Sequence, residues 1–153
     1  MSKNPAIVVG VDDSGASREA LCWAADRSVR TGFPLHVLHA WQMDAPAAAS
    51  KEVAGYAEAG AADARARVTR WVLDALGDDA AHCPWTLEIV QGAPGPALVT
   101  GSRSAAMLVL GTGERTGSRQ AEHGSVGRYC LAHAVPPVVA VPTATAAHVP
   151  STS

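Results

Sequence analysis

The segment GTGERTGSRQAEHGS, residues 111–125, has the composition of a backbone loop that can wrap an anion. Gly111 directly follows an apolar run, so it lets the chain turn and brings backbone N–H groups close to a ligand. Gly124 and Ser125 then open a segment with helical periodicity, and the free N–H groups at the positive end of a helix dipole suit a phosphate. Glycine-rich loops are also common in turns, so these residues alone favour a loop without a ligand. A phosphate-binding loop is the alternative.

An aspartate pair, Asp12 and Asp13, follows the first apolar run of the chain. The carboxylate of Asp12 can accept hydrogen bonds from ribose hydroxyls, or it can hold a cation. The alternative is that Asp12 or Asp13 caps the following turn, as aspartate often does. The residue type alone therefore leaves a binding role and a structural role open.

Strands that alternate with helices must position these residues. The apolar or β-branched runs predict strands at residues 6–11, 34–41, 85–90, 106–111 and 137–141. Helical periodicity fills the intervals, at residues 14–31, 51–76, 94–102 and 126–133. This order predicts an α/β fold with one open, five-stranded parallel sheet, right-handed crossovers and helices on both faces. Ligands of such sheets bind outside the carboxyl ends of the strands, where Asp12 and Gly111 both lie.

The periodicity also predicts which side chains face the core. The inward positions of the first helix are expected to be Ala20, Leu21, Ala24, Ala25 and Val29. Those of the last helix are expected to be Val126, Tyr129, Cys130 and His133. The strand at residues 85–90 alternates between apolar and polar residues, which predicts a position near an edge of the sheet.

The composition excludes several classes of protein. The chain has 153 residues, 48% of them hydrophobic, and a net charge of −2, which argues against non-specific binding to nucleic acid or to an anionic membrane. The three cysteines are widely separated and the six histidines are scattered, so no metal site is predicted. We expect three buried thiols in a cytoplasmic protein, with one domain at residues 1–142 and a flexible polar tail at residues 143–153.

Five segments of this chain together resemble the universal stress protein domain: IVVGVDDS, LHVLHAW, VQGAPGPAL, MLVLGTG and GSVGRYCLAHAVPPVVAVP. They occur in the family's order and cover residues 6–142. The resemblance implies the adenine nucleotide alpha hydrolase-like fold, with strand order 3-2-1-4-5. It also implies a stress-response protein that binds an adenine nucleotide, ATP foremost and with Mg²⁺, and that catalyses at most slow hydrolysis of ATP.

The same resemblance assigns residues to the nucleotide. Val11 and Asp12 would lie against the adenine and the ribose, and Ala40 would back the adenine. The residues along the phosphate path would be Gly111, Gly113, Gly124, Ser125 and Val126.

The loop departs from the family pattern at one position. Nucleotide-binding members have a glycine, two residues, a glycine, nine residues, then a glycine and a serine or threonine. Gly111 and Gly124–Ser125 match, but Glu114 stands at the middle glycine. Its carboxylate would repel a phosphate by about 1 kcal/mol at ~4 Å in full solvent. The alternative function is therefore a homodimer that binds no nucleotide and acts through protein partners.

The last strand predicts the form of that homodimer. In the order 3-2-1-4-5 it lies at the edge of the sheet, although its sequence is apolar on both faces. An exposed apolar edge invites pairing, and a two-fold axis closes that pairing. We expect a homodimer through Pro137–Val141; the alternative is that the polar tail folds back over this edge.

Overall fold

The computed structural model describes residues 5–12, 14–42, 53–112 and 126–142. Strands and helices alternate along the chain. In order they are β1 (Ile7–Gly10), α1 (Gly15–Thr31), β2 (Leu35–Trp41), α2 (Val53–Leu76), β3 (Trp85–Gln91), α3 (Pro94–Gly101), β4 (Met107–Thr112), α4 (helical over residues 126–133) and β5 (Val138–Pro142). A short 3₁₀ helix at Gly77–Ala81 follows α2.

The five strands form one parallel sheet in the order β3-β2-β1-β4-β5, which confirms the predicted fold class and strand order. β1 lies at the centre, and all four of its residues are buried. β3 lies at one edge and alternates between half-buried and exposed residues along most of its length, as its sequence predicts. The observed strands differ from the predicted ones by one residue at some ends.

Each face of the sheet carries its own apolar core. On one face, α1 and α2 pack on Ile7, Val9 and their neighbours. On the other face, α3 and α4 pack on Val8, Leu38 and Leu108. The central strands therefore need apolar side chains on both sides, which explains why they read as continuous apolar runs.

Helix α1 is capped at both ends by residues that favour helix termini. The Ser14 hydroxyl accepts a hydrogen bond from the Ser17 N–H at 3.1 Å, which caps the first turn. Gly32 adopts a left-handed conformation, with φ of 83°, and its N–H donates to the Ser28 carbonyl. Serine and glycine are residue types that favour these two positions of a helix.

Two side chains of α1 correct the prediction. Val29 is exposed, whereas Ser28 is buried and its hydroxyl donates to the Phe33 carbonyl. Cys22 is also exposed, so only Cys83 and Cys130 are buried thiols. The buried arc of α1 runs through Leu21, Ala24 and Ser28, and both mispredicted residues lie one position outside it. The pKa of the Cys22 thiol is raised. The main cause is its partial burial, and the negative charge of Glu19 adds to it.

The buried face of α4 is narrower than predicted. Cys130 is fully buried and Val126 packs against the same core, but Tyr129 and His133 are exposed. Their rings instead stack on each other, with centroids 4.2 Å apart, and His133 Nδ1–H donates to the Tyr129 carbonyl.

Within the described residues no helix has the length and apolarity to cross a membrane.

Candidate functional site

Four of the predicted site residues, Val11, Asp12, Ala40 and Gly111, lie at or next to the carboxyl ends of neighbouring strands, a side of the sheet called here its carboxyl edge. Val11 continues β1 and donates its N–H to the Leu38 carbonyl of β2 at 3.1 Å. β4 pairs with β1 on its other side and ends just beyond Gly111. At the far side, Gly92 donates its N–H to the Trp41 carbonyl at 2.7 Å. Asp12 therefore lies between the ends of β2 and β4, where a ligand of a parallel sheet binds.

Asp12 caps the turn between β1 and α1. Its Oδ1 accepts hydrogen bonds from the Ser14 N–H and the Ser17 hydroxyl, both at 2.9 Å, and its own N–H donates to Ser17 Oγ at 2.7 Å. Asp12, Ser14 and Ser17 thus belong to one small hydrogen-bond network, in which Ser14 also caps α1. The structural role that the sequence left open for Asp12 is present. The network also holds the carboxylate on the turn that follows the carboxyl end of β1.

A buried histidine holds the residue before Asp12. The His39 side chain is on β2, is only 8% exposed, and its Nδ1 lies 2.7 Å from the Val11 carbonyl oxygen. Because a carbonyl only accepts hydrogen bonds, Nδ1 carries the proton and donates. The ring packs edge-on against Trp71 of α2, with centroids 5.5 Å apart. Both backbone groups of the buried Val11 are therefore bound to β2, one to the main chain and one to this side chain.

Gly111 lets α1 lie directly on the end of β4. A Cβ atom at Gly111 would overlap the carbonyl carbon and oxygen of Ala16 and would lie 2.8 Å from Ala16 Cβ. The first turn of α1 therefore passes over this glycine, beside the start of the glycine-rich loop. The sequence predicts Gly111 as a residue that lets the backbone approach a ligand, and the structure adds a packing requirement.

Ala40 lies near the end of β2 and is half-buried. The indole of the next residue, Trp41, packs against Gly60 of α2. It fills the space that a side chain at Gly60 would need. This contact joins the end of β2, next to Ala40, to α2.

The remaining predicted site residues divide into two groups. Val126 is described and packs with Cys130 against the core on the α4 face of the sheet. Gly113, Gly124 and Ser125 lie outside the described residues, as does Glu114. In the described part of the chain, no three of the His, Cys, Asp and Glu side chains form a group that could hold a metal ion.

A sequence model of the Universal stress protein family matches residues 3–142 of this chain. The chain belongs to the universal stress protein family. Universal stress protein Rv2028c of Mycobacterium tuberculosis is 34% identical to it over 115 residues, which are 71% of this chain. The same alignment covers 38% of that relative, so this chain spans well under half of the relative's length.

Solved universal stress proteins share the fold. UspA of Lactobacillus plantarum has a TM-score of 0.68 at 20% identity, with 92% of this chain and 99% of that chain covered. A universal stress protein solved in complex with cAMP has a TM-score of 0.63 at 25% identity, with 93% and 99% covered. The similarity in fold therefore extends over nearly the whole length of this chain and of both solved chains.

Sequence reasoning assigned no role in the site to two residues that shape it, His39 and Ser17. His39 is one of six scattered histidines, and only its place at the end of a predicted strand could have drawn attention to it. The stretch DDSGAS contains a serine five residues after Asp12, and a helix that begins between them brings the two side chains together.

Proposed function

We propose that this protein binds an adenine nucleotide at the carboxyl edge of its sheet, with ATP and Mg²⁺ as the preferred ligand. The observation that carries the proposal is the Asp12 turn, which is held rigid by hydrogen bonds directly between the ends of β2 and β4. In this proposal Val11 and Ala40 contact the adenine, and Asp12 contacts the ribose. The phosphates follow the path from Gly111 and Gly113 to Gly124, Ser125 and Val126.

A structural relative supports nucleotide binding, and we propose a binding protein rather than an enzyme. A member of the family with a TM-score of 0.63 and 25% identity to this chain was solved with cAMP, an adenine nucleotide. We therefore assign this protein the role of a cytoplasmic stress-response protein whose state depends on nucleotide binding. Hydrolysis of ATP, if measured, should be slow compared with binding and release.

Calorimetric titration with ATP and Mg²⁺ tests the proposal and the effect of Glu114. We expect saturable heat for the wild-type protein and tighter binding for Glu114→Gly, by about fivefold if the repulsion is about 1 kcal/mol. Asp78→Asn is the matched control, because it removes an exposed carboxylate near the amino end of β3, at the opposite end of the sheet. An unchanged affinity in Glu114→Gly would show that this carboxylate does not face the phosphates.

A second candidate function is a homodimer that binds no nucleotide and acts through protein partners. The observation that favours it is Glu114 at the middle glycine of the family pattern. The absence of heat at millimolar ATP, in both the wild type and Glu114→Gly, would support this candidate over the first.

We propose in addition that the protein is a homodimer through Pro137–Val141, a segment that includes most of β5. Ala140 is exposed at this edge, and two large apolar side chains that precede the strand, Leu131 and Val135, are 68% and 70% exposed. The opposite edge is different, because Arg65 of α2 donates to the Leu87 carbonyl of β3 at 3.5 Å and so covers part of that edge. An edge with apolar surroundings is the better candidate for pairing with a second copy.

Light scattering at micromolar concentration measures the predicted dimer. The wild type should have twice the mass of one chain, and Ala140→Lys should be largely monomeric because a lysine on an edge strand opposes pairing. Val29→Lys, at an exposed apolar position on α1, should remain dimeric. A monomeric wild type would contradict the proposal.

A further inference from the structure

A cavity of about 340 Å³ lies between α3 and the carboxyl-terminal half of β3, on the face of the sheet that carries α3 and α4. α3 is eight residues long, and small side chains on it, among them Ala97 and Thr100, line the cavity. Gly101 belongs to the same wall, and Leu38 of β2 occupies the space beside it. The volume is at the lower end of the range of small-molecule sites, so the cavity has room for a compact ligand.

The cavity combines apolar walls with one charged group. Leu38 and Val90 supply apolar surface from the sheet, and Ala97 supplies it from the helix. Among the described residues that line the cavity, Glu88 is the only one with a charged side chain. Thr100 adds a hydroxyl at the helix wall.

Glu88 is held in place by a neighbouring polar pair on the same face of the sheet. Its Oε1 lies 3.0 Å from His36 Nε2, and His36 Nδ1 lies 2.7 Å from Thr86 Oγ1. Because a carboxylate only accepts hydrogen bonds, Nε2 carries a proton and donates to Glu88. His36 and Thr86 are direct register partners in β2 and β3, so two paired strands orient the carboxylate. The Glu88 side chain is 50% exposed and therefore remains accessible to a ligand.

We infer that this cavity binds a small organic cation, a primary ammonium on a compact apolar body. The carboxylate of Glu88 pairs with the ammonium, and the apolar walls cover the body of the ligand. The same carboxylate opposes phosphate, so the ligand class differs from that proposed for the Asp12 site. The cavity lies against β3 and α3, whereas Asp12 follows β1.

The test is an NMR titration of the ¹⁵N-labelled, full-length protein with phenethylammonium, and in parallel with phenethyl alcohol as its uncharged match. We expect saturable amide shifts around Glu88, Val90 and Ala97, and an affinity about fivefold higher for the ammonium than for the alcohol, the size of a half-exposed ion pair. Glu88→Gln should abolish this preference. Asp78→Asn, an exposed carboxylate outside the cavity, should retain it.

A second variant tests the position of the ligand. Thr100 is exposed on α3, so Thr100→Phe can fill the cavity without entering the core. It should abolish the shifts around Glu88 and leave the rest of the spectrum unchanged. Equal affinity for the ammonium and the alcohol, no saturable shifts, or wild-type binding by Thr100→Phe or Glu88→Gln would each overturn the inference.

Discussion

Gly111→Ala is expected to lower the free energy of unfolding by about 3 kcal/mol, at the upper end of the usual range for overpacking. The added methyl group would overlap the Ala16 carbonyl group, which is backbone and cannot rotate away as a side chain can. α1 would have to move off the end of β4, and its contacts with the central strands would weaken. Urea denaturation, followed by circular dichroism, measures the change.

The matched control is Gly15→Ala, one residue from the site of the predicted overlap. A Cβ at Gly15 meets no heavy atom within 4 Å, so this variant should be as stable as the wild type or slightly more stable. If Gly111→Ala unfolds at the wild-type urea concentration, α1 does not pack on Gly111 as described.

His39→Leu is expected to lower the free energy of unfolding by about 2 kcal/mol, the cost of leaving a buried polar group without its partner. Val11 is only 7% exposed, so water cannot readily replace the lost N–H donor at its carbonyl. His82→Leu, at an exposed histidine, should change stability by no more than about 0.5 kcal/mol.

An independent measurement separates the hydrogen bond from the packing of the His39 ring on Trp71. The ¹⁵N chemical shifts of the His39 ring in the wild-type protein should show a proton on Nδ1, because the Val11 carbonyl can only accept. A bare Nδ1, together with wild-type stability of His39→Leu, would refute the role of this side chain in holding the end of β1.

The order of the elements could be predicted from the sequence because each kind of strand has its own pattern. β1 is buried on both faces and reads as a continuous apolar run, whereas β3 lies at an edge and alternates. The strand order came from the family resemblance, since alternation of strands and helices does not by itself determine which strands are neighbours.

Helix phase was harder to predict, because the sequence of α1 allows more than one buried arc. Val29 is apolar and fits the period, but the structure buries Ser28 instead. That serine is accommodated because its hydroxyl donates to the Phe33 carbonyl in the turn that follows the helix. The sequence does not show this hydrogen bond, because it depends on the conformation of the turn that brings Phe33 back to Ser28.

The candidate site could be predicted in part. Asp12 and Gly111 follow from their position after apolar runs, and the structure places both at the carboxyl edge of the sheet. The contact of Gly111 with Ala16 and the bond from His39 to Val11 join residues that are far apart in sequence, so no local pattern indicates them.

The binding of an adenine nucleotide at this edge is tested most directly by an NMR titration of the ¹⁵N-labelled protein with ATP and Mg²⁺. Saturable shifts are predicted for the backbone amides of Val11, Asp12, Ala40 and Gly111. The amides of Cys83 and Trp85, near the amino end of β3, should not shift. The absence of shifts at millimolar ATP, or saturable shifts confined to residues away from the carboxyl edge, would contradict the proposed site.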